Sequence, residues 1–165
     1  MSTDAFDLHF LLHSADLVEA ALRRRLERTG IGPRQARVID ALARMEPTSQ
    51  ASLAREFGVG AAAMSTMTAR LIEAGYIVRE VDPREARAHL LHLTRAGHDL
   101  LGKVHDAWRD VDALIRDRIG AERASALAEH ARILRDTMGG HAPGAPEPSE
   151  RPVPEERSAP RGKEA

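Results

Sequence analysis

Residues 53–97 read "LAREFGVGAAAMSTMTARLIEAGYIVREVDPREARAHLLHLTRAG", and this stretch decides the architecture. A short apolar segment holding Leu53 and Phe57 stops at Gly58; a second runs from about Ala61 to Ala74 and is closed by Gly75. In the second, Met64, Met67 and Leu71 recur at steps of three and four, the spacing of one helix face. Two short helices joined through "FGVG" read as a helix-turn-helix. The period then changes. "YIVREV" (76–81) and "AHLLHL" (88–93) have strand composition, and "DPREAR" (82–87) between them supplies Asp and Pro as turn initiators. A β-hairpin thus follows directly on the helix-turn-helix, with Arg79, Arg84 and Arg87 gathered around its turn.

Upstream, the stretch from Asp4 to about Arg28 contains no helix breaker. Leu8, Leu11, Ala15, Val18 and Leu22 form one helical stripe, and Phe6, Phe10, His13 and Leu17 form another beside it. One stripe suffices for a helix lying on its own core. Two stripes point to a partner subunit. Gly30 and Gly32 stop this helix, Pro33 suits the first turn of the next, and Val38, Ile39 and Leu42 mark its buried face. Pro47 makes another break, after which Thr48 or Ser49 is the candidate N-cap of the third helix. Downstream, Thr94 can cap a helix reaching about Ile119, with Leu101, Val104, Trp108, Val111 and Ile115 as its stripe. After Gly120, Leu127, Ala131, Leu134 and Met138 mark a last helix.

The 165 residues fit one domain plus a tail. Hydrophobic residues reach 42% but aromatics only 3%, so the interior is expected to be aliphatic and packed helix on helix. The absence of Cys excludes disulfides, thiolate metal sites and thiol redox sensing. No early basic segment leads into an apolar run and no apolar run reaches spanning length, so no membrane association and a cytoplasmic location are expected. Residues 140–165, "GHAPGAPEPSERPVPEERSAPRGKEA", are expected to be disordered, since they hold too little apolar surface to offset ordering entropy. The whole chain has a formal charge of −1, and the part before this tail holds equal numbers of acidic and basic residues. Neutrality is unusual for a nucleic-acid binder, so charge placement must carry any such role.

The order of elements, together with "IGPRQARVIDAL", "LAREFGVGAAAMSTMTARLIEAGYIVRE" and "DPREARAHLLHLTRAG", resembles the MarR (multiple antibiotic resistance regulator) family of transcriptional regulators. That family's wing pattern, Asp-x-Arg-Asp/Glu-x-Arg followed by Leu-Thr-x-x-Gly, is filled by Asp82, Arg84, Glu85, Arg87, Leu93, Thr94 and Gly97. The resemblance runs from about Asp4 to Met138. It implies a mostly α fold with a small β-hairpin wing: a winged helix-turn-helix (31–97) flanked by long dimerisation helices (4–30 and 98–139). It further implies a homodimer bound to a pseudo-palindromic operator on double-stranded DNA. A repressor released by a small-molecule effector is the expected mode, with no cofactor.

The DNA-contacting set is then expected to be Ser49 and Gln50 before and in the third helix, Ala61, Ala62, Ser65, Thr66 and Arg70 on the fourth, and Arg79, Asp82, Arg84 and Arg87 in the wing. Arginine suits phosphate forks and the negative potential of a narrow minor groove, and by analogy Arg84 or Arg87 enters it while Asp82 orients one of them. The recognition helix departs from the family: Gly60 replaces the usual N-cap Ser, and Ala61, Ala62 and Ala63 follow where basic or Pro residues are common. Ala and Thr methyls can meet the thymine C5-methyl, Ser and Thr can bond several bases, and only Arg70 could reach a purine bidentately. Modest direct readout is expected.

His9, His13 and Asp16 can share one side of the first helix, and His98 and His105 stand two turns apart on the fifth, making these five weak metal candidates. They support a metal- or pH-responsive alternative, while the ordinary reading leaves them as exposed or interface residues. An organic effector, for which an aromatic or lipophilic acid is the expected class, would enter a crevice lined by the first, second and fifth helices, with His9, His13 and Trp108 as candidate contacts. No Gly-rich phosphate loop, nucleophile elbow or HExxH occurs, so an enzyme is not expected. A helical protein-interaction module without DNA binding is the other alternative.

Overall fold

The computed structural model describes residues 7–140, apart from the side chains of Ala86 and Arg87. Asp4, Phe6 and the expected disordered tail from 141 onward lie outside the described residues.

Helix α1 spans Asp7–Leu26 and tightens into a 3-10 turn at Glu27–Thr29, where the Thr29 hydroxyl donates to the Leu26 carbonyl at 2.6 Å. The helical run thus ends at Thr29, within a residue of the expected end near Arg28. Helix α2 (Pro33–Met45) opens on its proline, and the Gln35 side-chain oxygen accepts the Gly32 N–H at 3.1 Å. Val38, Ile39 and Leu42 are fully buried, as their spacing requires. Strand β1 (Thr48–Ser49) precedes α3 (Gln50–Glu56), whose cap is Ser49: its hydroxyl accepts the Ser52 N–H at 3.1 Å.

A sharp turn at Gly58, which has φ 60 and so favours a residue without Cβ, leads into α4 (Ala61–Glu73). Strands β2 (Ile77–Asp82) and β3 (Glu85–Leu93) form the hairpin. Helices α5 (Arg95–Ile119) and α6 (Ala121–Thr137) complete the described fold. The sheet is antiparallel in the order β1-β3-β2, with Thr48 opposite Leu91 and Ile77 opposite Leu93.

The hairpin and the sheet differ from the sequence expectation. The hairpin turn is only Pro83–Arg84 rather than six residues, because the Asp82 carboxylate accepts the Arg84 N–H at 2.8 Å and closes the reversal early. The strands are accordingly longer, with a register irregularity between Val81 and Asp82. Strand β1 is an addition. Two residues are too few to show an alternating pattern, so only the pairing partner reveals it.

Leu53, Met64, Leu71, Leu91, Ile39 and Leu42 are fully enclosed and join α2, α3, α4 and the sheet into one core with Leu100 and Val104 of α5. Burial of each such side chain contributes about 1.5–3 kcal/mol relative to exposure. On α5 the deepest residues are Leu100, Val104, Ala107 and Val111, while Leu101 and Trp108 are half-buried against the core. The stripe is turned from the expected one because two adjacent apolar rows share this helix. Helix α6 buries Ala124 alone, leaving Leu127, Ile133, Leu134 and Met138 exposed. Helix α1 likewise exposes Leu8, Phe10, Leu11, Leu12, Leu17 and Val18, with Leu17 67% accessible and Met138, just after α6, 78%.

The start of α5 is pressed onto the start of β2. The Thr94 N–H donates to the Tyr76 carbonyl at 3.0 Å, and its hydroxyl donates to the Gly75 carbonyl at 2.7 Å and accepts the Gly97 N–H at 3.1 Å. A methyl at Gly97 would overlap the Tyr76 carbonyl oxygen and lie 3.3 Å from Leu93 Cβ. By contrast, a methyl at Gly102, mid-helix in α5, would meet nothing within 4 Å. Gly97→Ala should therefore destabilise the fold by roughly 1–3 kcal/mol through overpacking, whereas Gly102→Ala should stabilise it by up to about 1 kcal/mol through helix propensity. Thermal unfolding of both variants checks this; equal midpoints for the two would refute the close contact.

Candidate nucleic-acid interface

Helix α4 turns Met64, Thr68 and Leu71 inward, with Met67 half-buried, and leaves Ala61, Ala62, Ala63, Ser65, Thr66, Ala69 and Arg70 exposed. The angle of α4 against α3 is fixed partly by polar contacts. The buried Thr68 hydroxyl lies 2.9 Å from the Met64 carbonyl and 3.3 Å from the Gln50 side-chain oxygen. Gln50, expected to face DNA, is thus half-buried and engaged with α4. Ser49 is engaged as the α3 cap, its hydroxyl also 3.0 Å from that of Ser52. The Thr66 hydroxyl donates back to the Ala62 carbonyl at 3.0 Å.

In the hairpin, Arg79 is exposed on β2, and Arg84 at the turn has a side chain 84% accessible. Its Nε lies 3.5 Å from Asp82 Oδ1, while the Asp82 carboxylate is nearly enclosed. The exposed pair contributes little to stability but restrains where the guanidinium stands. Arg87 lies on β3, and its side chain is outside those described.

An open recess of about 800 Å³ separates α1 from the start of α2 and from α4. Its apolar lining includes Pro33, Phe57, Val59 and Met67, and its rim carries Arg23, Arg34, Arg37 and Arg70. Arg23 pairs with Glu19 at 2.9 Å, and the Arg37 guanidinium stands 5.7 Å from the centre of the Phe57 ring. Among the described residues no ion pair engages Arg34, Arg37 or Arg70. Arg34 and Arg37 are not among the site residues expected from the sequence. Their spacing of three on the first turn of α2 was the available signal.

The crevice was expected between the first, second and fifth helices; this recess involves α4 in place of α5, and His9, His13 and Trp108 do not line it. His9, His13 and Asp16 are exposed on α1, whereas Trp108 packs against the core with its ring centre 5.6 Å from that of His105. His98 and His105 turn toward α2: His105 Nε2 is 2.8 Å from Asp40, which also bonds Arg44, and His98 Nε2 is 3.4 Å from Glu46. The five histidine and aspartate candidates are therefore not brought together, and among the described residues no group of three could hold a metal ion.

The MarR family model matches residues 29–88, the span from the end of α1 through the hairpin turn into β3. Several solved structures share the fold of this chain. A MarR crystal structure superposes with a TM-score of 0.72 at 21% identity, covering 84% of this chain and 95% of that one. A mutant MarR from E. coli complexed with operator DNA gives 0.68 at 20% identity, covering 78% and 94%. The transcriptional regulator Tm0710 from Thermotoga maritima gives 0.55 at 25% identity, covering 79% and 92%. No significant match is found among curated proteins. The chain has the MarR-like winged-helix fold, mostly helical with its small antiparallel sheet. No helix among the described residues is long and apolar enough to cross a membrane.

Proposed function

We propose that the chain is a DNA-binding transcriptional regulator, and not an enzyme, that acts on a pseudo-palindromic operator as a homodimer. The observation that carries this reading is the exposed second helix of a helix-turn-helix followed at once by an exposed arginine-bearing hairpin, in a segment matching the MarR family. Helix α4 is assigned to the major groove, and Arg79, Arg84 and Arg87 to phosphates and the minor groove. Ser49 and Gln50 are assigned to positioning the helices. Residues 31–97 form the DNA-binding unit; the two ends, 4–30 and 98–139, form the dimerisation region. The many large apolar side chains exposed on α1 and α6 support the second copy, since exposed apolar surface on this scale marks interaction sites.

The net charge of −1 is no obstacle, because affinity follows the phosphates neutralised locally and not the sum over the chain. Anisotropy titrations with duplex DNA flanking the chain's own gene, and with a random duplex, test the assignment. Arg84→Ala combined with Arg87→Ala should weaken binding to both and flatten the slope of log K against log salt by roughly one unit per lost phosphate contact. An unchanged slope would remove the hairpin from the interface.

Repression relieved by an organic anion is the proposed mode of control. The recess supports it: an apolar lining beside Arg34, Arg37 and Arg70, which no ion pair engages among the described residues, suits an amphipathic acid, and Thr66 and Arg70 of α4 lie on that lining. Benzoate is a suitable probe. It should bind the full chain and weaken its grip on DNA, with Arg34→Ala combined with Arg37→Ala abolishing both effects in calorimetry and anisotropy. Benzoate binding unaltered in that variant would place the anion elsewhere.

A further inference from the structure

The outward face of α4 is built from methyl groups. Ala62 and Ala69 stand two turns apart along its exposed side, with Thr66 between them one turn from Ala62. Ser65, Arg70 and, at the far end, Glu73 are the polar neighbours on that side, and Thr66 and Arg70, one turn apart, also line the recess. Sequence alone leaves Thr66 ambiguous, since its side chain carries both a hydroxyl and a methyl. The structure resolves this. Its hydroxyl hydrogen is committed to the Ala62 carbonyl one turn back, at 3.0 Å. Thr66 then has no hydrogen to donate to a base; it presents the methyl and, as an acceptor only, the hydroxyl oxygen.

In the major groove, one edge feature is apolar: the C5-methyl of thymine. Of the side chains that read adenine or guanine edges, Asn, Gln, Lys and Arg, α4 carries only Arg70, late in the helix and on the lining of the recess. From this juxtaposition we propose that α4 specifies its half-site by apolar contact with thymine methyls, with Thr66, Ala62 and Ala69 as the specificity-determining residues and Ser65 as the polar reader. The inference rests on the DNA-binding reading and adds to it the chemical feature recognised. Each enclosed methyl is worth about a fourfold change in affinity, far less than a bidentate purine contact. Specificity then depends on several such contacts and on both half-sites of a duplex.

The experiment begins with selection of bound sequences from a random duplex pool by the full chain. In the selected duplex each thymine is replaced in turn by deoxyuridine, which removes the C5-methyl and leaves pairing intact. The expected result is a loss of about fourfold at particular thymines in each half-site. Thr66→Ser, which keeps the hydroxyl and drops the methyl, should erase the thymine-to-uracil difference at one of these positions. Thr66→Val, which keeps the methyl and drops the hydroxyl, should preserve it. A merely structural role for Thr66 would change affinity for both duplexes together and leave their ratio untouched, and circular dichroism checks that both variants fold. Equal binding of the thymine and uracil duplexes overturns the inference while leaving DNA binding in place. A pool from which no sequence is enriched overturns the DNA-binding reading and this inference with it.

Discussion

The angle between the hairpin, helix α4 and the long helix α5 depends on one close packing of backbone against backbone. At the end of β3 the chain enters α5, and within one turn Gly97 lies against the Tyr76 carbonyl at the start of β2. Thr94 closes the same point with three hydrogen bonds: its amide to Tyr76, its hydroxyl to Gly75, and the Gly97 amide to that hydroxyl. The end of α4, both ends of the hairpin and the first turn of α5 therefore meet within a few residues. A side chain at Gly97 would separate them, and a loose joint there would let the wing swing independently of the helix it accompanies.

A second set of contacts runs along α5. Glu46, just after α2, accepts the Leu93 N–H at 2.7 Å and faces His98, while the nearly buried Asp40 of α2 holds His105 and Arg44. Arg25 of α1 reaches Asp110 of α5 at 3.7 Å. These contacts seat α2 and α1 on the helix that leaves the winged unit. Against that seated frame, the apolar side chains of α1 and α6 stay exposed, and the proposed second copy covers them. The same helices that each chain cannot bury alone set the distance between the two proposed reading heads.

Much of this was legible in the sequence, for identifiable reasons. The helix-turn-helix showed because Met64 and Leu71 keep helical spacing and Gly58 marks the turn, and α5 showed because Thr94 has a cap's position. The two-striped α1 was legible in the same way, since apolar rows that find no cover in the chain remain visible as rows. What escaped was whatever depends on partners distant in sequence. Strand β1 exists only through Leu90 and Leu91 of β3, and the recess only through α1, α2 and α4 coming together. Gln50 shows the same limit: its type suits a DNA contact, and its bond to Thr68 makes it a strut between α3 and α4.

The proposed homodimer repeats the guanidiniums of the wing at a set spacing, which adds to the local phosphate neutralisation that a chain of near-zero net charge depends on. Hydroxyl-radical footprinting of the full chain on the DNA flanking its own gene measures that spacing directly. The account predicts two protected tracts of like pattern, related by two-fold symmetry, with centres about one helical turn or a small multiple of it apart. A single unpaired tract, or even protection along the whole duplex, would contradict it.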